Sequence, residues 1–284
     1  MYSAEELRYK TGQGNWKDCV FPVDVLLQEA GRWKRELAGV SKGWLCWNVD
    51  DDWCLVQQRL VEQAGWTPIV GFDPRKGPPR RLSRNAVLID FNAGLKLPVM
   101  YPHFPLEFAF AYIDRIAFWH SDLLIRFERL RQLTEIFDAL PDGSMAAIPE
   151  RRLRHLLQPK QHRYWELVGC TTRGASLSQF ENGCGWWMLY WRHPNQKEPD
   201  AARFKDANWD HGAGIMEWHR RHGGRVREIP LDWVEEGHFS QINNADYKRV
   251  SPKHYMRDMS AELSLNYGLV DAARKMGLES LLHA

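Results

Sequence analysis

The sequence predicts a single α/β domain. Short apolar runs with the character of strands alternate with runs of helical spacing from residue 43 onward, which is the pattern of this fold class. The 284 residues are enough to bury one large core, and a composition of 44% hydrophobic and 26% charged residues is typical of globular proteins. We therefore expect one domain over residues 1–284.

Charge, cysteine use and the N-terminus narrow the class of protein. The formal net charge of +2 gives no strong field for nucleic acid, so a DNA or RNA binder is not expected. The five cysteines form no CxxC pair, which indicates reduced thiols in a cytoplasmic protein. We find no secretion signal and no run of roughly 20 apolar residues, so we expect a soluble protein without a transmembrane segment. Peripheral membrane association through a partner stays open.

The fourteen tryptophans are the unusual feature of the composition. They are either large core residues or a stacking surface for a flat ligand such as a sugar ring or a base. Composition alone does not decide between these two interpretations.

The first elements form a βαβ unit. Residues 44–49 and 66–73 are apolar and strand-like, and residues 53–63 between them have helical spacing. Such a unit predicts parallel strands joined by a right-handed crossover, and ligands bind at the carboxyl ends of such strands. The polar side chains at these ends, which we expect to contact a ligand, are Asn48, Asp50 and Asp73.

A basic loop follows the βαβ unit. Residues 74–84 are rich in Pro, Gly and Arg, which excludes a helix or a central strand. The segment is either a solvated loop or a mobile loop whose cations meet phosphates. In the second case Arg75 and Lys76 are candidates for phosphate contact, as is Arg173 further along the chain.

The middle of the chain continues the alternation of strands and helices. Residues 105–113 are a helix candidate, residues 116–119 an apolar strand, residues 126–140 a helix and residues 144–148 a strand. From residue 163 to residue 187 glycines stand beside aromatic and acidic residues, which favours ligand-contacting loops over regular structure.

The last third of the sequence returns to regular elements. Residues 214–222 predict a helix, which Gly223 and Gly224 end, and residues 225–229 predict a strand. The tail over residues 254–284 predicts one or two helices that close the domain.

His120 and Asp122 are candidate metal ligands. They stand two residues apart at the end of a strand, so their side chains point to the same face. His238, in a Gly-containing loop after the strand at residue 225, is the third candidate. Such a trio suits manganese, iron or zinc better than calcium, although a polar strand end without a metal has the same pattern.

Two chemistries use this trio of ligands. In one, a metal bridges the diphosphate of a nucleotide sugar. In the other, His120, Asp122 and His238 are the facial triad of an Fe(II)- and 2-oxoglutarate-dependent oxygenase, with Arg249 on the cosubstrate carboxylate. The oxygenase is a double-stranded β-helix, whereas a predicted helix follows His120 and a βαβ unit precedes it. The predicted elements therefore favour the first chemistry.

The order of elements resembles a glycosyltransferase of the GT-A fold. The run 118–122 stands where that family has a metal-binding Asp-x-Asp, with Asp122 at the final Asp and His120 in place of the first. Residues 182–187 resemble the Gly-rich acceptor loop of that family, and Asp210 stands before a helix where such enzymes keep an acid. The resemblance extends over residues 43–240.

This resemblance implies a GT-A-like mixed sheet with helices on both faces, a nucleotide-binding half over residues 43–125 and an acceptor half over residues 144–240. It implies transfer of a sugar from a nucleotide-diphosphate donor, most simply a UDP-sugar, to a glycan or another hydroxyl acceptor, with Mn²⁺ or Mg²⁺. Asp210 is then the catalytic base, with Glu181 or Glu166 as substitutes. The implied acceptor contacts are Gly185, Trp186 and Trp187. A carbohydrate-binding protein without catalysis is the non-enzyme alternative.

Overall fold

The computed structural model describes residues 6–10, 18–149, 163–186, 212–239 and 268–283. Its strands are β1 Glu6–Lys10, β2 Asp18–Pro22, β3 Gly43–Asn48, β4 Thr67–Phe72, β5 Val87–Leu88, β6 Arg115–Trp119, β7 Ser144–Pro149, β8 Tyr164–Thr172 and β9 Arg225–Glu228. Its α-helices are α1 Val23–Glu36, α2 Asp51–Gln63, α3 His103–Glu107, α4 Phe127–Asp138, α5 Arg173–Glu181, α6 Ala213–Arg221 and α7 Leu269–Met276. None of these helices is long and apolar enough to cross a membrane.

Seven of the strands form one mixed sheet in the order β5-β4-β3-β6-β8-β7-β9. Strand β8 is antiparallel to its neighbours β6 and β7, and all the other pairs in this sheet are parallel. Strands β1 and β2 form a separate antiparallel pair. The prediction of an α/β fold is therefore confirmed.

The predicted βαβ unit is present as β3, α2 and β4. Strands β3 and β4 pair in parallel from Gly43 opposite Thr67 to Asn48 opposite Phe72. Helix α2 begins two residues earlier than predicted because the side chain of Asp50 caps it.

Helices cover both faces of the sheet, and a separate core lies on each side. Leu45 and Trp47 of β3 point to the core that α1, α5 and α6 cover, whereas Trp44 and Cys46 point to the core that α2, α4 and α7 cover. Side chains of a strand alternate between its two faces, so β3 is buried on both of them.

Most tryptophans in the described ranges are core residues. Two are only partly buried; the buried ones are Trp33, Trp44, Trp47, Trp53, Trp66, Trp119, Trp186 and Trp218.

The loops predicted over residues 163–187 are in large part regular structure, which corrects that expectation. The segment contains β8, the longest strand of the sheet, and the nine-residue helix α5. Gly169 lets β8 pass directly beside the ring of Phe118 and the carbonyl oxygen of Ala146, where a Cβ atom has no room. The glycine therefore serves close strand packing and not ligand contact.

The helix predicted over residues 105–113 is also shorter than expected. Helix α3 ends at Glu107 and a 3₁₀ turn at Ala109–Ala111 follows. Phe108 and Phe110 both pack against the ring of Phe180, and side chains two residues apart on an α-helix do not face the same neighbour. Of the predicted C-terminal tail, only residues 268–283 are described; they contain α7 and the 3₁₀ turn Glu279–Leu281.

The strand order reverses at one edge of the sheet. The chain runs from β3 to β4 and β5 on one side, and then returns to β6 on the other side of β3. Ligands of open α/β sheets bind at the carboxyl ends of strands beside such a reversal. Because β8 is antiparallel, its amino end meets the carboxyl end of β6 at this same edge.

Candidate functional site

The structure brings the three predicted metal ligands together. His120 and Asp122 follow β6, and His238 follows a 3₁₀ turn after β9. Backbone hydrogen bonds join the two loops: the N–H of Leu124 donates to Gly237 O at 3.0 Å, and that of Phe239 donates to Asp122 O at 3.0 Å. These bonds hold the three side chains side by side.

The donor atoms of this triad have the spacing of a metal site. His120 Nδ1 lies 3.3 Å from His238 Nε2 and 3.7 Å from Asp122 Oδ1, and His238 Nε2 lies 3.3 Å from Asp122 Oδ1. A point equidistant from the three atoms lies about 2 Å from each, which is the length of bonds from zinc-like ions to imidazole nitrogen and carboxylate oxygen. The donor set therefore fits a divalent transition metal.

The three side chains of the triad are partly exposed. The exposed fractions of the side chains are 35% for His120, 19% for Asp122 and 24% for His238. Three protein ligands together with an accessible side are the arrangement of catalytic metal sites, whereas structural sites are closed.

Gln57 of helix α2 fixes the loop that carries His120. Its Nε2 donates hydrogen bonds of 2.8 Å to the carbonyl oxygens of His120 and Leu123, and its side chain is fully buried. A buried donor between two carbonyls leaves the loop little freedom, so the crossover helix of the βαβ unit also positions the triad.

The electrostatics keep the carboxylate of the triad ionised. Burial raises the pKa of Asp122, but the hydrogen bond from His238 and the neighbouring His120 outweigh it and leave the pKa below its usual range. Burial lowers the pKa of His120, but hydrogen bonding and charge from Glu166, with a smaller effect of Asp122, raise it above its usual range. Asp122 is thus in the state that binds metal at neutral pH.

A buried carboxylate lies behind His120. Glu166, at the amino end of β8, has its Oε1 atom 3.5 Å from His120 Nε2 and 3.5 Å from His103 Nε2. His103 begins helix α3, and both Glu166 and His103 are buried. The sequence predicts Glu166 only as a substitute base and does not mark His103. The pairing of β8 with β6 places Glu166 beside the triad.

The residues predicted to contact a nucleotide lie at the same edge of the sheet but have partners within the protein. Asn48 is buried, and its Nδ2 donates to Asp51 Oδ1 and to Gly77 O, each at 3.2 Å. Asp50 Oδ1 accepts the backbone N–H groups of Asp52 and Trp53 at 3.0 Å, which makes it the N-cap of α2.

Asp73 and Arg75 form a bidentate pair at the end of β4. Arg75 Nε lies 2.8 Å from Asp73 Oδ1 and Arg75 Nη2 lies 2.9 Å from Asp73 Oδ2. Asp73 is fully buried and also accepts the N–H of Met100 at 3.2 Å. The pair stabilises the start of the basic loop, so Arg75 does not offer its guanidinium to a phosphate in this conformation.

The basic loop closes over the first turn of α2. Lys76 Nζ lies 3.4 Å and Arg80 Nε 2.5 Å from the carboxylate of Asp51, and Arg81 Nη2 lies 2.7 Å from Asp52 Oδ1. Sequence reasoning missed Asp51, although three consecutive acids before a helix and a cationic loop after it carry complementary charge.

Arg173 lies at the other edge of the sheet, which corrects the expectation that it contacts phosphate. Its Nη2 lies 2.8 Å from Asp114 Oδ1, just before β6 begins. Because β8 is antiparallel to β6, the residue after its last position stands at the amino end of β6, roughly 15 Å from the triad.

The acceptor contacts that the resemblance implies are not an open surface in the structure. The ring of Trp186 is only 2% exposed and packs edge to face on Phe118, with 5.1 Å between ring centroids. Gly185 is buried against the carboxylate of Glu107. Glu181 is exposed at the end of α5. The remaining predicted residues, which lie outside the described part of the chain, are Trp187, Asp210 and Arg249.

A second group of donors lies on the α6 side of the molecule. The ligand atoms of Cys184, Glu217 and His222 lie within 4.8 Å of one another. Cys184 Sγ donates to Asn182 O, and Glu217 Oε1 lies 3.8 Å from Arg221 Nη1. All three of these side chains also have partners within the protein.

Comparisons with protein-family models, with curated proteins and with solved structures find no match for this chain. The function is therefore inferred from the chemistry of the triad and from its place in the fold.

Proposed function

We propose that the protein is a metal-dependent glycosyltransferase of the GT-A type, which moves a sugar from a nucleotide-diphosphate donor to a glycan or another hydroxyl acceptor. One observation carries the proposal: His120, Asp122 and His238 converge at the carboxyl end of β6, beside β3, where the order of the strands reverses. A nucleotide bound at that edge of the sheet would have its diphosphate near the triad.

The architecture supports this assignment. A mixed sheet, a βαβ unit at its start and helices on both faces are what the resemblance to GT-A enzymes implies. Asn48 and Asp51 stand at the end of β3, where the nucleoside of a UDP-sugar would lie, and the basic loop covers Asp51.

The donor set indicates which metal the triad would hold. Two imidazole nitrogens and one carboxylate suit Mn²⁺ better than Mg²⁺, because Mg²⁺ prefers oxygen ligands and keeps several waters. If these residues hold a divalent ion, it would supply Lewis-acid stabilisation of the departing diphosphate. His120, Asp122 and His238 are the residues that would hold it.

The other steps fall to side chains of the chain itself. Lys76 and Arg80, now paired with Asp51, can exchange that carboxylate for donor phosphates because both kinds of partner bind cations by charge and hydrogen bonds. Asp210 is the proposed base that takes the proton from the acceptor hydroxyl, with Glu181 as its substitute.

The same donor set also occurs in non-haem iron oxygenases. Those enzymes need a double-stranded β-helix, whereas the described residues form a mixed sheet between two layers of helices. The carbohydrate-binding alternative needs exposed aromatic rings, and most tryptophans of the described residues are buried. Both observations favour the glycosyltransferase.

A ligand panel tests the proposal. Thermal unfolding of the full chain is measured with UDP, GDP, CMP or 2-oxoglutarate, each with and without Mn²⁺ or Fe²⁺, because a ligand of the folded state raises the Tm. We expect a shift with one nucleotide that depends on Mn²⁺. A shift only with 2-oxoglutarate and Fe²⁺ would identify the oxygenase instead.

The variant Asp122→Asn tests the metal site itself. Loss of the carboxylate ligand of the triad should weaken Mn²⁺ binding by more than tenfold and remove the Mn²⁺-dependent nucleotide shift. The Tm without ligands should also fall at neutral pH, because the contacts that lower the pKa of Asp122 stabilise the folded chain. Asp232→Asn makes the same chemical change at an exposed acid and should alter none of these. Unchanged Mn²⁺ affinity in Asp122→Asn would refute the assignment of the metal ligands.

A further inference from the structure

Glu166 places one carboxylate oxygen between two imidazole rings. Its Oε1 atom lies 3.5 Å from His120 Nε2 and 3.5 Å from His103 Nε2. The side chains of Glu166 and His103 are 10% and 8% exposed, so this contact is shielded from water on the inner side of the triad. It is the side of His120 that faces away from Asp122 and His238.

The chemistry of these groups indicates where a proton on His120 would lie. An ionised carboxylate only accepts hydrogen bonds, so His120 Nε2 can meet Glu166 only as an N–H donor. In neutral His120 the proton is then on Nε2. Its Nδ1 atom keeps a free lone pair, and Nδ1 is the atom that lies 3.3 Å from His238 Nε2.

Without Glu166 the ring proton of His120 could instead lie on Nδ1. Asp122 Oδ1 lies 3.7 Å from His120 Nδ1 and is the nearby carboxylate that can accept from it. A proton on Nδ1 would pair with Asp122 and occupy the lone pair that a metal needs, because an imidazole binds metal only through a deprotonated nitrogen.

We infer that Glu166 is a positioning residue, which holds His120 as the Nε2–H tautomer with Nδ1 directed into the triad, and that His103 holds Glu166 in place. Carboxylates that orient metal-binding histidines in this way typically change metal affinity by 10- to 100-fold. The inference rests on the proposed metal site, and it adds two residues that no sequence motif marks.

Mn²⁺ titration of the full chain, followed by electron paramagnetic resonance, tests the effect on affinity. Glu166→Ala removes the acceptor and should weaken Mn²⁺ binding by about 10- to 100-fold. Glu166→Gln keeps the size and one acceptor oxygen without the charge, so its loss should be smaller. Glu135→Gln removes the same charge from an exposed position of α4 and should leave the affinity unchanged.

The tautomer of His120 can be measured by NMR without any metal. Long-range ¹H–¹⁵N spectra of the metal-free protein should show His120 as the Nε2–H form, with its signals identified by their absence in His120→Gln. In Glu166→Ala the Nδ1–H form should appear. A structural role of Glu166 alone would change stability without changing this tautomer.

The possible results separate this inference from the proposed function. Mn²⁺ binding that is equal in the unmodified chain and in Glu166→Ala would overturn the positioning role while leaving the metal site intact. Absence of Mn²⁺ binding in the unmodified chain would instead refute the metal site, and the tautomer spectra would still decide the role of Glu166. If Glu166→Ala does not fold, Glu166→Gln and His103→Gln provide the same two measurements, and normal affinity with the Nε2–H tautomer in both would contradict the inference.

Discussion

At the scale of single residues, the triad depends on buried side chains that contact no ligand. Gln57 bridges the carbonyl oxygens of His120 and Leu123, and Glu166 contacts the rear of the His120 ring. Such supporting residues fix the orientation of the metal-binding side chains, which the ligands cannot fix by themselves.

Gln57→Leu should therefore affect both stability and the site. The substitution keeps the size of the side chain but removes the donor that both carbonyl groups share. His120 O keeps the N–H of Leu123 at 3.2 Å, whereas the buried Leu123 O loses its side-chain donor, so we expect a cost of about 1–3 kcal/mol in the free energy of unfolding. We expect weaker Mn²⁺ binding as well, since the loop that carries His120 is released. Urea unfolding and Mn²⁺ titration measure the two effects.

Gln58→Leu is the matched control for this change. Gln58 is equally buried, but it contacts Cys54 Sγ and the N–H of Ser83 instead of the metal loop. It should lower stability without altering Mn²⁺ affinity. Equal losses of affinity in both variants would show that Gln57 acts only through general stability.

At the scale of elements, helix α2 combines several roles within 13 residues. Its cap is Asp50, its first turn pairs with the basic loop through Asp51, and its inner face reaches the triad through Gln57. The negative charges of the acids at its start also interact favourably with the positive end of the helix dipole. One short helix thus connects the end of β3 with the end of β6.

The variant Asp50→Ala tests whether Asp50 acts as a cap or as a nucleotide contact. Loss of the cap should lower the free energy of unfolding by about 1 kcal/mol. Asp50→Ser keeps a capping oxygen and should restore most of that stability. Nucleotide affinity that falls equally in both variants would show that the carboxylate itself binds the ligand.

At the scale of the whole molecule, the sequence predicted the regular alternation and missed the insertion of β8. Strands β3, β4, β6 and β7 and helices α2 and α4 lie within a few residues of their predicted positions, because hydrophobic period and Gly or Pro boundaries define them locally. The direction of β8 depends on which strands it pairs with, and that information is not local.

The candidate site was also predictable only in part from the sequence. The triad was predictable because two ligands share one strand end and the third stands in a Gly-containing loop. The places of Glu166, His103 and Gln57 around the triad were not predictable, since only long-range contacts bring these residues together, although the sequence predicts Glu166 as a substitute base. Arg173 and Trp186 were misplaced for the same reason: one follows β8 to the opposite edge, and the other is buried beneath it.

Acid stability should depend on a contact between two distant parts of the chain. Asp142, in the turn before β7, accepts the N–H of Gly174 in the first turn of α5 at 2.7 Å. That hydrogen bond, supported by Arg173, holds the pKa of Asp142 below its usual range. A lowered pKa stabilises the folded state above the ordinary carboxyl pKa, about 4, and this stabilisation is lost as the pH falls through the lower folded value.

Asp142→Asn should therefore be less stable than the unmodified chain at pH 7, and the difference should shrink as the pH falls below about 4. Urea midpoints measured between pH 2 and pH 7 on both proteins test this. Asp232→Asn, at an exposed acid, should follow the unmodified chain at every pH. Parallel pH curves for Asp142→Asn and the unmodified chain would contradict the prediction.

The position of β8 has a consequence for synthesis of the chain on the ribosome. Strands β6 and β7 leave the ribosome before β8, yet in the finished sheet they meet only through β8, which lies between them. Until residue 172 has emerged, one edge of β6 and both edges of β7 have no partner, because β9 also follows later, and unpaired strand edges invite association with other chains. A chain stopped between β7 and β8 should for this reason be prone to aggregate, whereas one that extends past β9 can complete its sheet.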